Sequence, residues 1–157
     1  MEFLVSDAQI SSVEELVSFL QSQRRLSAAD VELLKKQRLP NYLSDTKEQI
    51  ATKLALLQSN ANPLWFLGGE TAEVREFLRT RDNDLDFHLD TVRKCFVAYF
   101  RDGETPPPFY PYRIAVMLRK GRLHTLEQAF LEAWVSHFPG DGGGRYAALR
   151  EVLRRYS

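Results

Sequence analysis

Apolar residues recur along most of this chain at intervals of three and four, the spacing that gives an α-helix one buried face. Runs in which apolar and polar residues alternate, as they do in a half-buried strand, are nearly absent. The pattern therefore predicts an all-α fold. It is clearest in one segment, whose apolar positions are Leu85, Leu89, Val92, Phe96 and Phe100.

Helix starts are indicated by a capping pattern that occurs three times in the first third of the chain. A polar side chain at the N-cap is followed three residues later by an acidic one, so that each can accept a hydrogen bond from a backbone amide at the start of the helix. Pro40 ends the second of these helices. The three predicted capping pairs are Ser12 with Glu15, Ser27 with Asp30, and Asp45 with Glu48.

Proline and glycine divide the remaining sequence into short segments. Pro63 and the glycine pair 68–69 enclose an apolar run that is too short for an ordinary helix. Loops are predicted at 101–110 and 139–144, where these two residue types cluster. The pattern as a whole predicts a single compact domain, residues 1–157, with about seven or eight short helices.

The last third of the chain predicts a helical hairpin. Pro111 is expected in the first turn of its first helix, where the missing amide costs no hydrogen bond. Gly121 is expected to end that helix in a left-handed conformation. His124 or Thr125 then begins the second helix.

The hairpin segment, residues 114–139, resembles one tetratricopeptide-type helical hairpin. Gly121 stands where that family has a small residue between its helices, and Phe130 and Ala133 fall on two consensus positions. Leu126 departs from the expected alanine, and Pro139 closes the segment one place late. Since repeats of this kind stack in several copies and the sequence shows no second copy, the resemblance implies a helical hairpin without implying a function.

Composition indicates a globular chain without a dominant charge. Its 157 residues include 21 basic and 21 acidic side chains, and 44% are hydrophobic. A net charge of zero provides no global field that would attract nucleic acid or an anionic membrane. No stretch approaches the roughly 20 apolar residues of a membrane span, and the N-terminus lacks the basic region of a secretory signal. We expect a cytoplasmic protein that does not act in a membrane.

Cys95 is the only cysteine, and a lone thiol suits a reducing compartment. Phe96 and Val97 follow it in an apolar helical stretch, which favours a buried structural thiol. Reactive thiols need an accessible, electropositive setting. Arg93 and Lys94 keep that alternative open.

Chemistry-bearing residues form no recognisable catalytic or metal-binding motif. The acidic run at 82–86 resembles the start of a calcium loop, but the places for that loop's glycine and bidentate glutamate hold Phe87 and Arg93. We interpret the aspartates as the capped start of a helix. The histidines lack paired ligand spacing, so we expect no metal and no cofactor. Because no catalytic motif is recognisable, we do not favour an enzyme. Surface or boundary positions are expected for the three of them, His88, His124 and His137.

An aromatic strip, Phe109, Tyr110 and Tyr112, follows three consecutive prolines. With Arg113 the segment satisfies P-x-x-P-x-R, a spacing by which polyproline II ligands bind aromatic grooves. The competing interpretation, which we favour, is the start of a helix, with the rings turned into the core or into a groove. If the strip faces outward, it is the best candidate for a binding surface.

Two functional hypotheses follow from these residues, and an enzyme of unrecognised type is the third and least favoured. The first is a non-catalytic protein-interaction module, an adaptor, chaperone-like factor or inhibitor, that binds another protein through the aromatic strip, Arg113 and Trp65, since aromatic side chains dominate interface energetics. The second is a nucleic-acid-associated factor, which is possible but not favoured because acidic residues surround its basic ones. Its candidate residues are Arg24, Arg25, Lys35, Lys36 and Arg38.

Overall fold

The computed structural model describes residues 3–59, 71–139 and 144–156. Over these ranges the chain forms eight α-helices and no strand, which confirms the all-α prediction. In chain order the helices are α1 Asp7–Ser22, α2 Ala28–Arg38, α3 Lys47–Ser59, α4 Thr71–Arg79, α5 Leu85–Asp102, α6 Phe109–Lys120, α7 His124–His137 and α8 Gly144–Arg154.

Contacts between Cα atoms divide the chain into two compact units. Unit 1 contains residues 1–25, 82–93 and 107–157, and therefore α1, the first part of α5, and α6 to α8. Unit 2 contains residues 26–81 and 94–106, and therefore α2 to α4 and the end of α5. The single domain spanning 1–157 stays a prediction, because a contact unit is not by itself an independently folding domain.

Unit 1 is built around the packing of α7 against α1, α6 and α8. The rings of Trp134 and Phe138 lie with centroids 4.5 Å apart. Each fully buried side chain of this size stabilises the fold by about 1.5–3 kcal/mol relative to an exposed one. The residues buried on α1, α6 and α7 include Val13, Leu16, Leu20, Ile114, Met117, Leu118, Phe130, Leu131 and Trp134.

Two of the three predicted capping pairs are displaced. Helix α1 begins six residues earlier than predicted, with Ser6 and Gln9 as the reciprocal pair in place of Ser12 and Glu15. The amide side chain of glutamine accepts the hydrogen bond as well as a carboxylate does. The pair Ser27 and Asp30 is confirmed at the start of α2.

The third cap also moves, by one residue. Thr46 and Gln49 exchange the capping hydrogen bonds of α3. Asp45, predicted as the cap, instead accepts from the Asn41 amide and from Lys53. Because the Asp45 carboxylate already accepts these two hydrogen bonds, the hydroxyl of the adjacent Thr46 caps the helix.

The hairpin of α6 and α7 is confirmed, with Pro111 in the first turn of α6 and His124 as the first residue of α7. Its turn differs from the prediction. Gly121 has a φ of −79°, and Arg122 is the left-handed residue, with a φ of 61°. The Leu123 amide donates to the Leu118 carbonyl, which closes a Schellman motif. Gly121 instead permits a close approach, since a Cβ atom there would lie 2.9 Å from Val5 Cγ2.

The predicted loop 101–110 is shorter in the structure, because α5 continues to Asp102 and α6 begins at Phe109. Gly103 has a φ of 73°, and a Cβ atom there would lie only 2.7 Å from the carbonyl oxygen of Val31 in α2. The left-handed residue and the close approach together explain why α5 ends here. In the second predicted loop, α7 ends at His137, and residues 140–143 lie outside the described ranges.

Candidate functional site

The aromatic strip lies at the start of α6, and its rings divide between the core and the surface of unit 1. Tyr110 is buried, with ring centroids 6.2 Å from Phe87 and 5.9 Å from His88. Phe109 and Tyr112 are half-buried. Tyr110 therefore contributes to the core, while its two neighbours keep part of their surface accessible.

Arg113 is also half-buried and lies within α6. Its Nε and Nη2 atoms donate to the carbonyl oxygen of Asp82, at 3.1 and 2.7 Å. The guanidinium thus holds α6 to the segment before α5, and its helical backbone is incompatible with the extended polyproline II conformation. Trp65, the remaining residue of this predicted surface, lies outside the described ranges.

All three histidines were expected at surface or boundary positions, and for His88 and His137, which are buried, this expectation was wrong. His88 lies among the rings of Phe87, Phe109 and Tyr110. His137 is buried at the end of α7, where its Nε2 atom lies 2.6 Å from the carbonyl oxygen of Leu20. Both rings pack between helices of unit 1, whereas His124 is exposed.

The thiol of Cys95 is buried, as predicted. Burial, together with the nearby charge of Glu104, raises the pKa of Cys95 to about 12. A thiol with this pKa carries almost no thiolate at neutral pH, so the reactive alternative loses its chemical basis.

The acidic run before α5 caps the helix, as expected. The Phe87 amide donates to Asp84 Oδ1 at 3.1 Å, and Asp86 Oδ1 accepts from the side chain of Gln9. In the ranges that the structure describes, no three His, Cys, Asp or Glu residues are grouped as a metal site would require.

A buried charged cluster in unit 1 was not predicted from the sequence. Glu127 is 0% exposed, and its carboxylate accepts from Nη2 of Arg119 at 2.8 Å and from the hydroxyl of Tyr156. Both hydrogen bonds compensate for the desolvation of this carboxylate. Burial and the hydrogen bond to Glu127 raise the pKa of Tyr156 to about 12. The cluster joins α6, α7 and the end of the chain, so we assign it to stability.

An open groove of about 330 Å³ lies beside that cluster, on α7 and α8. Its basic residues already have partners: Arg150 donates to the Pro139 carbonyl and Arg154 to Glu151. The groove therefore presents no set of converging groups that would bind a particular ligand.

The five basic residues of the nucleic-acid hypothesis do not belong to one unit. Arg24 and Arg25 are in unit 1, whereas the other three lie on α2 in unit 2. Lys35 pairs with Glu32 at 3.8 Å on that helix. Lys36 and Arg38 occupy its last turn, where basic side chains complement the helix dipole.

The most exposed apolar surface in the described ranges lies in unit 2, at the connection between α2 and α3. Leu39 is 52% exposed, Tyr42 70% and Leu43 100%. We call these three residues the corner surface. Helix α2, which precedes this connection, has no buried residue. A helix of 11 residues is only marginally stable in water without packing against other parts of a protein. Leu33 on α2 is exposed as well.

Hydrogen bonds fix the turn that carries the corner surface. The side chain of Asn41 accepts from the Leu43 amide, and the Asn41 carbonyl accepts from the amides of Ser44 and Asp45. Asp45 accepts in return from the Asn41 amide at 2.8 Å and from Lys53 Nζ at 2.7 Å. The hydrogen bond from Lys53, and then that from the backbone, lowers the pKa of Asp45.

These hydrogen bonds therefore fix the backbone that carries two large exposed apolar side chains. A preformed surface binds with less loss of conformational entropy than a flexible one. The sequence carried a signal that we did not use: turns are normally polar, yet the stretch LPNYLSD between two capped helices contains three large apolar residues.

Comparison with known proteins does not indicate a function for this chain. No family model, curated protein or solved structure matches the chain. In the described ranges, no helix has the length and apolar character needed to span a membrane.

Proposed function

We propose that this chain is a non-catalytic protein-interaction module that binds its partner through the corner surface. The supporting observation is the exposure of Tyr42 and Leu43 on a turn whose own hydrogen bonds keep them in place. Burying a tyrosine and a leucine together on binding would contribute about 3–6 kcal/mol before the costs of association. Such rigid apolar anchors are the usual centres of protein interfaces.

The aromatic strip has a secondary place in this proposal. Phe109 and Tyr112 are half-buried, and Arg113 is engaged with Asp82. We propose that they support the fold of unit 1 and that the main contact is at the corner surface. The lone, buried thiol suits a module that works in the reducing cytoplasm.

The test compares proteins that co-purify with wild type and with a Tyr42→Ser, Leu43→Ser double variant. Both side chains are exposed, so the substitutions are expected to change stability by less than about 0.5 kcal/mol. The matched control is Val97→Ser, which replaces another apolar residue of unit 2 that is 50% exposed. We expect a partner that is retained by wild type and the control and is lost with the double variant.

Two results would count against the proposal. Retention of every co-purifying protein by the double variant would remove the corner surface as an interface. Binding to a labelled oligonucleotide that depends on Lys36 and Arg38, and that weakens steeply with salt, would favour the nucleic-acid hypothesis instead.

A further inference from the structure

We infer that the corner surface accepts a short segment of another protein in which a leucine or an aromatic residue is flanked by aspartate or glutamate. This inference rests on the proposed function and adds the chemical character of the partner. It is carried by the basic residues that precede and follow Tyr42 and Leu43 along the chain.

Basic side chains flank the apolar turn on both sides. Residues 36–47 contain Lys36, Arg38 and Lys47 but one acid, Asp45, which is bonded to Lys53 at 2.7 Å. Lys36 and Lys47 are exposed. Negative charges on a partner would therefore be attracted to the residues on either side of the corner surface.

The position of Lys47 also indicates that the partner carries a negative charge. It is the first residue of α3, at the positive end of the helix dipole, where a cation is unfavourable and an anion is favoured. The helix dipole and the ammonium of Lys47 both favour a negative charge at this position. A carboxylate from a partner would relieve the repulsion that Lys47 experiences there.

A short protein segment fits these charges better than a continuous polyanion does. Glu32 and Glu48 are exposed near the two ends of the basic residues. An anionic membrane or a nucleic acid would extend its charge over these carboxylates as well. A peptide can direct a few acidic side chains at Lys36 and Lys47 and keep its apolar residue against the turn.

The experiment selects short random peptides displayed on phage in two libraries, one with glutamates fixed at both ends and one with lysines there. Selected peptides are synthesised, and their affinities for four variants are measured by fluorescence polarisation. The apolar variant is Tyr42→Ser with Leu43→Ser, and the charge variant is Lys36→Glu with Lys47→Glu. The control variants are Val97→Ser and Lys94→Glu, which change exposed residues of α5 in unit 2.

We expect enrichment from the glutamate library alone. Binding should weaken by about tenfold or more in the apolar variant and by about tenfold in the charge variant, with little change in the controls. It should also weaken as salt is raised from about 50 to about 500 mM.

Corner-dependent peptides from the lysine library, or from both libraries alike, would overturn the inference and leave the proposed interface intact. If neither library yields corner-dependent peptides, the inference fails, and the co-purification test decides separately on the proposed function. Sedimentation with vesicles containing about 30% phosphatidylserine, lost in the apolar variant, would overturn the inference in favour of a lipid surface.

Discussion

Replacing Gly103 by alanine is expected to destabilise the chain by about 2–4 kcal/mol. The backbone at this position has a φ of 73°, and a left-handed conformation costs a residue with a Cβ atom about 1–2 kcal/mol. The new methyl group would also lie 2.7 Å from the carbonyl oxygen of Val31 and 3.3 Å from Leu34 Cβ. Since the nearest atom is backbone, α2 or the 102–104 segment must shift, which adds about 1–3 kcal/mol.

The opposing contribution is small, because alanine reduces the entropy of the unfolded chain by only about 0.4–1 kcal/mol relative to glycine. The assay is equilibrium unfolding in urea followed by far-UV circular dichroism. Wild type and variant should show similar slopes and different midpoints. A free energy of unfolding within about 0.5 kcal/mol of wild type would refute the reasoning from the Gly103 geometry.

Arg122→Gly is the matched comparison, since it removes a side chain from a left-handed position. The conformational strain of about 1–2 kcal/mol is relieved, and the greater flexibility of glycine offsets about half of that. Because the Arg122 side chain also makes an interaction of its own, the comparison is with Arg122→Ala, which loses that interaction equally; we expect the glycine variant to be about 0.5–1 kcal/mol more stable than the alanine variant in the same assay. Equal or lower stability of the glycine variant would contradict the left-handed conformation at position 122.

The remaining predictions concern ionisable groups. Iodoacetamide should modify Cys95 about a thousandfold more slowly in the native protein at pH 8 than in denaturant, because its pKa is raised to about 12. Tyr156→Phe should lower the free energy of unfolding by about 1–2 kcal/mol, because buried Glu127 loses a donor, and should remove the late step from an alkaline absorbance titration. The pKa of Asp45 is depressed in the folded state, so its bonds stabilise the turn above pH about 4 and are lost as the pH falls through that lowered pKa. Nuclear magnetic resonance of the Asn41 amide should show a midpoint below the ordinary value, and Lys53→Ala should raise it.

The helices could be predicted from the sequence because their signals are local. The stripe from Leu85 to Phe100 lies within α5, and the cap at Ser27 uses residues three positions apart. A helix start differed from the prediction where another group occupied the predicted capping side chain. The carboxylate of Asp45, for example, accepts a hydrogen bond from Lys53 of α3.

The burial of His88 and His137 could have been predicted from the apolar pattern of their helices. His88 lies three residues after Leu85, and His137 three residues after Trp134, so each falls on a buried helical face. Both were expected at surface or boundary positions, whereas their place on the apolar stripe puts them in the core. Applying the helical period to every residue type would have corrected both assignments.

Other features depend on contacts between distant parts of the chain. Glu127 is buried because Arg119 and Tyr156, 8 residues before it and 29 after it, reach its carboxylate. The exposure of Leu43 depends in turn on what the rest of the chain leaves uncovered. A local pattern does not contain the contacts that bury Glu127, whereas the three large apolar residues of LPNYLSD are a local signal for the corner surface.

Site-specific photocrosslinking at position 43 tests the corner surface most directly. A benzophenone amino acid would replace Leu43 in one protein and Val97, which is 50% exposed, in a control protein, both of unit 2. We predict a discrete crosslinked adduct from position 43 that is absent at position 97 and that disappears when Tyr42→Ser is added. Equal adducts at both positions, or none at position 43 under conditions in which a partner co-purifies, would contradict the assignment of this surface as the interface.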